Sequence, residues 1–124
     1  MTDWSITHEE TGVFRLRFSE HLSTEVARAA LTELAHRITC LDDPSILIAD
    51  LRAVRRIDAG APVAGALLFS AAVSKTEHVY VLVKKAVVRS AAAAAASSIG
   101  LRFTCLEDEP DPATLRSVPF GKQL

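Results

Sequence analysis

The sequence predicts an α/β domain: a mixed, mostly parallel sheet with helices packed on it, in the order β-β-α-β-α-β-α-β-α. Three observations predict it. Two segments of polar–apolar alternation stand near the N-terminus, with a Thr11-Gly12 turn between them. Short apolar runs at 46–51, 78–83 and 101–106 then alternate with stretches of helical spacing. Asp42-Asp43-Pro44 and Gly100 punctuate the boundaries as turn and helix-stop residues.

Trp4, Ile6 and His8 alternate with polar residues and give the first strand. Phe14, Leu16 and Phe18 alternate with Arg15 and Arg17, so the second strand is expected to bury one face and wet the other. The two form an antiparallel hairpin. Ser23 suits the cap of the first helix, and Glu25 suits its positive N-terminal dipole. Val26, Ala27, Ala30, Leu31, Leu34, Ala35 and Ile38 make its apolar stripe, with Glu33 and Arg37 paired on the wet side.

The run 46–51 reads as a central strand. Asp58 or Gly60 starts the next helix, Pro62 lies in its first turn, and the helix is expected to reach about Val73. A strand at 78–83 follows, then an alanine-rich helix at 86–99 ended by Gly100. A last strand at 101–106 and a short helix at about 113–118 complete the order.

The chain of 124 residues suffices for one domain but not two, so 1–124 is read as a single unit with its core at about 4–118 and a loose tail at 119–124. Its composition is globular, and a net charge of −1 supplies no general field for nucleic acid or an anionic membrane. The N-terminus has neither the basic nor the apolar region of a secretory signal. The nearly apolar run 59–73 is shorter than the ~20 residues a spanning helix needs. The expected location is the cytoplasm, without membrane insertion. Cys40 and Cys105 lie outside any CxxC or Cys/His ligand spacing and read as two buried thiols.

The stretch around residue 50 resembles a known pattern. Asp50, Leu51, Val54, Ile57 and Asp58 match the loop Asp-Leu-x-x-Val-x-x-Ile-Asp-Ser-Ser-Gly-Leu of the STAS domain. That is the fold shared by sulfate-transporter cytoplasmic tails and bacterial anti-sigma factor antagonists. Ile99-Gly100-Leu101-Arg102-Phe103 is similar to the family's turn into its last strand, and Asp111-Pro112-Ala113-Thr114-Leu115 to the start of its final helix. The similarity spans about residues 4–118. It implies a STAS-like (SpoIIAA-like) fold and a bacterial, cytoplasmic regulatory module that docks proteins. In the antagonists the Ser-Ser pair carries the phosphoacceptor; here Ala59 and Gly60 stand there, and neither has a hydroxyl. The resemblance therefore implies docking without the phosphorylation switch.

The residues offer little chemistry of other kinds. His8, His21, His36 and His78 show no metal-ligand spacing, and Gly60 and Gly65 form no phosphate loop, so no metal or cofactor is expected. Asp50 and Asp58 read as structural, one holding its loop and the other capping the next helix. Arg52, Arg55 and Arg56 follow one parallel strand, and Lys84, Lys85 and Arg89 follow the next. Strand C-terminal ends share an edge where ligands bind, so these bases form a possible anion-binding rim for an acidic partner; the competing reading is ordinary loop charges with Arg52 or Arg56 paired to Asp50 or Asp58.

Within 61–73 the polar side chain is Ser70, and a helix apolar all round needs cover on more than one side. A homodimer or another protein supplies it in the leading reading, with Arg52, Arg55, Arg56, Asp58, Ala59, Gly60, Leu67, Phe69 and Ser70 as the docking residues. The alternative is a carrier of a small hydrophobic ligand or lipid, with Gly60, Gly65 and the alanines opening space behind the helix. An enzyme built on Asp50, Asp58 and the basic rim is the weaker third reading.

Overall fold

Three parallel-strand crossovers and one tight hairpin need apolar strand faces and helices to cover them, and the chain folds accordingly. A computed structural model of the chain describes residues 3–10 and 12–110. The strands are β1 (Trp4–Glu10), β2 (Val13–Phe18), β3 (His21–Leu22), β4 (Ser45–Asp50), β5 (Arg56–Ile57), β6 (Thr76–Leu82) and β7 (Phe103–Leu106). The helices are α1 (Thr24–Thr39), α2 (Ala61–Phe69) and α3 (Ala86–Ser98), with a 3-10 segment Ser70–Lys75 after α2. The final helix expected at 113–118 and the tail at 119–124 lie outside the described residues, as does Thr11 of the first turn.

The main sheet has the order β1-β2-β4-β6-β7, and a separate two-stranded piece joins β3 to β5. β1 and β2 are antiparallel; β2, β4, β6 and β7 run parallel. Each crossover steps the same way across the sheet, so α1, α2 and α3 pack on one face. That face carries the main core: Phe14, Leu16, Phe18, Leu47, Val79 and Val81 meet Ala30, Leu34 and Ile38 of α1 and Phe69 of α2. A second cluster, Val13, Ile48, Tyr80 and Leu82, lies on the far face. Parallel strands buried on both faces explain why 46–51 and 78–83 read as continuous apolar runs.

Local chemistry sets the ends. Ser23 Oγ accepts the Val26 amide at 3.1 Å, capping α1, and Arg37 reaches Glu33 at 2.8 Å. Gly12 and Gly100 take positive φ, +81° and +74°, which an L side chain disfavours.

Four expectations are corrected. The expected helix to Val73 stays α-helical only to Phe69, because Ser70 turns both its backbone N–H and its hydroxyl onto the Leu67 carbonyl. That i to i−3 bonding continues the chain as 3-10 helix. Asp58 does not cap α2: the cap residue is Gly60, without a side-chain bond, while the Asp58 carboxylate is occupied by His21. Cys40 is exposed rather than buried, since α1 ends there and leaves it at the surface; Cys105 is half-buried. Arg15 does not face water, because Glu9 and Glu109 close over its guanidinium. β3 and β5 were not foreseen, since two-residue strands carry no periodicity.

Candidate functional site

The loop from Leu51 to Gly60 is tied down from both ends. The Leu51 amide donates to Leu82 at 2.8 Å, extending the ladder past β4, and Leu51 and Val54 are buried. The Arg55 and Arg56 amides both donate to the Glu20 carbonyl, at 2.8 and 3.0 Å, and the Asp58 amide donates to Leu22 at 3.0 Å. β3 and β5 are this same lacing seen as strands.

Side chains reinforce it. Arg56 Nη2 lies 3.2 Å from His21 Nδ1, and His21 Nε2 lies 2.7 Å from Asp58 Oδ1. A guanidinium only donates and a carboxylate only accepts, so the relay requires the His21 proton on Nε2. The His21 bond chiefly holds the Asp58 carboxyl below its ordinary range, and the Thr24 amide and Arg56 add to it. Gly60 is set close to α1: a Cβ there would meet Thr24 Oγ1 at 3.2 Å. Ala59 and Gly60 are exposed and offer no hydroxyl.

Sequence reasoning missed an ion network on the far face of the sheet. Arg15 is only 8% exposed. Its guanidinium donates to both Glu9 oxygens, at 3.0 and 3.2 Å, and to both Glu109 oxygens, at 3.0 and 2.6 Å. Asp50 lies 3.6 Å away and also accepts the Arg52 amide, Nε and Nη2 at 3.1, 3.0 and 2.9 Å. Arg52 reaches Glu109 at 2.7 Å, and Arg17 approaches Asp50 at 3.5 Å. Burial pushes the Asp50 carboxyl up, but the Arg52 bonds outweigh it and hold it below its usual value. Glu109 is held low chiefly by Arg15. The available signal was parity: Glu9, Arg15, Arg17 and Asp50 all fall on the same face once β2 pairs with β1 and β4.

The basic rim is divided by these pairs. Arg52 is committed to Asp50 and Glu109, Arg56 to His21, and Arg89 lies 3.7 Å from Glu107. Arg55, Lys84 and Lys85 are exposed and make no ion pair among the described residues. The histidines are scattered: His8 stacks on Phe14, His78 Nε2 lies 2.7 Å from Thr104 Oγ1, and His36 lies 3.8 Å from Cys40 on the exposed end of α1. No group of three or more potential metal ligands gathers among the described residues. Among them, too, no helix is long and apolar enough to cross a membrane.

α2 has two apolar faces. Ala61, Gly65, Ala66 and Phe69 turn inward, with Phe69 only 2% exposed. Val63 and Leu67, one turn apart, are 63% and 68% exposed, and Leu68 is partly so. Ser70 is exposed beside them. Behind the helix lies an apolar cavity of about 140 Å³, walled by α2, the sheet face and the alanines of α3. Gly65 lines it, and Gly60 does not.

No family model matches the chain, and no curated protein matches it. The solved structures to which the chain is similar over nearly its whole length include these two. One is an uncharacterized protein of the DUF3478 family with a SpoIIAA-like fold from Shewanella loihica PV-4, at 13% identity and a TM-score of 0.65, covering 91% of this chain and 90% of that one. The other is the anti-sigma factor antagonist SpoIIAA in its unphosphorylated form, at 12% identity and a TM-score of 0.56, covering 93% and 96%. The chain has the SpoIIAA-like fold that its loop pattern led us to expect.

Proposed function

We propose that this chain is a protein-docking module that carries out no reaction of its own, acts in the cytoplasm, and is not switched by phosphorylation of its loop. The contact surface is the outer face of α2 with loop 52–60 beside it. The exposed pair Val63 and Leu67 carries the reading. Two large aliphatic side chains held side by side in water are an unused apolar contact, worth about 25 cal/mol per Å² once covered. The loop next to them is braced by the Arg56–His21–Asp58 relay, so it meets a partner already ordered. Arg55, Lys84 and Lys85 supply positive charge suited to an acidic partner surface. One similar structure is described as an anti-sigma factor antagonist, a protein-directed role that fits an exposed helix face. A second copy of the chain is the simplest occupant.

Leu67→Asp tests this, because the exposed position tolerates charge while the surface does not. The expected result is a folded variant with an unchanged melting midpoint that loses the wild-type dimer mass in light scattering, or loses the partner that wild-type bait retains from its own cells. Peptide mapping of protein from those cells should find no phosphate between 52 and 70. A variant that keeps every wild-type association overturns the assignment of the surface; phosphate on Ser70 overturns the absence of a switch.

A further inference from the structure

We infer that the cavity behind α2 is a binding site for a small apolar group, about the size of a benzene ring or the end of an alkyl chain. Its volume, about 140 Å³, is close to that of engineered apolar cavities that take up benzene or xenon, and it opens to solvent on one side. Its lining is apolar throughout: Leu31 of α1, Leu47 and Val81 of the sheet, Gly65 and Phe69 of α2, and Ala92 of α3. No lining side chain carries a hydrogen-bonding group, so ordered water has no partner there and an apolar occupant is favoured. The same lining rejects a buried carboxylate or phosphate, whose desolvation nothing would offset. Any polar head on the ligand must stay outside.

Access lies at the seam of α2 and α3, where the lining residues Pro62, Ala91, Ala95 and Ile99 are half-exposed. α2 is the movable wall. It has nine residues, an interior glycine and no side-chain cap, so little holds it apart from its packing. Leu67 and Val63 point away from the cavity, and the inference therefore stands independently of docking on the outer face.

Benzene, xenon and decanoate serve as probes on the full chain, with methyl NMR shifts and the melting midpoint as readouts. Saturating benzene should raise the midpoint by roughly 5 °C, and xenon should shift the methyls of Leu31, Ala92 and Val81 first. Decanoate binding as well as benzene assigns the site to acyl chains; benzene alone assigns it to compact apolar molecules. Ala92→Leu fills the space and should abolish the response, with Ala66→Leu as the second variant should the first fail to fold. The inference is overturned if all three probes leave both readouts unmoved. It is overturned equally if shifts fall on residues outside the lining, or if a folded Leu variant responds as strongly as the wild type.

Discussion

Arg15 shows how much one residue holds when its partners come from distant parts of the chain. It stands on β2 between Glu9 of the neighbouring strand and Glu109 beyond β7, with Asp50 of β4 at 3.6 Å. Glu9 and Glu109 are partly exposed and can return to water, but Arg15 cannot. Arg15→Met removes four charge-assisted bonds and leaves the two glutamates facing each other. The expected loss is about 2–3 kcal/mol in urea denaturation. Glu109→Gln should lose less than about 1 kcal/mol, since its side chain is nearly half exposed. Equal losses for the two would mean that the Arg15–Glu109 pair accounts for the whole effect. The Asp50–Arg52 pair was one of two readings open in the sequence, because a carboxylate two residues before an arginine at a strand end bonds locally. Arg15 with Glu109 was not legible. The two are 94 residues apart, and only the closed sheet brings them together.

At the scale of elements, α2 combines a correct expectation with a misplaced end. Its existence, its start near Gly60 and its position after the charged loop were all legible from the apolar run and Pro62. Its end was not, because Ser70 redirects the last carbonyl through a local hydrogen bond that periodicity does not register. Gly65 is the weak point inside it. A Cβ there would meet Leu31 Cγ at 3.6 Å and Ala27 Cβ at 3.9 Å, ordinary van der Waals contacts. Gly65→Ala should therefore stabilise the fold by about 0.5–1 kcal/mol, through lower backbone entropy in the unfolded chain and better helix propensity. The check is a higher urea midpoint with an unchanged slope. A lower midpoint would show that α1 and α2 cannot absorb one methyl group, and that the helix is seated more tightly than the cavity behind it implies. The rim was legible as a set of positions and not as a field, since Arg52, Arg56 and Arg89 each turn to a partner that only the fold supplies.

Across the whole molecule, His78 and three carboxylates place a loss of stability on the acid side, in two steps. Burial, helped by Arg102, lowers the proton affinity of His78 below the ordinary histidine value of 6.5. A depressed folded value means that the unfolded chain binds the proton more readily. Stability from this group is full above pH ~6.5 and is lost as pH falls through the lower folded value. The carboxylates of Glu109, Asp50 and Asp58 are also depressed, by Arg15, Arg52 and His21 respectively, with burial opposing the arginines and the histidine in each case. Their contribution is full above pH ~4 and disappears below it. The melting midpoint should therefore fall gently from about pH 6.5 and steeply below about pH 4. His78→Gln keeps an amide able to bond Thr104 Oγ1 and removes the titration, so it should erase the upper step alone. Glu109→Gln should soften the lower step and leave the upper one in place. A wild-type midpoint that stays flat between pH 7 and 5 would show that His78 titrates alike folded and unfolded. A lower step untouched by Glu109→Gln would leave the acid lability with the other two depressed carboxylates, Asp50 beside Arg15 and Arg52 and Asp58 beside His21.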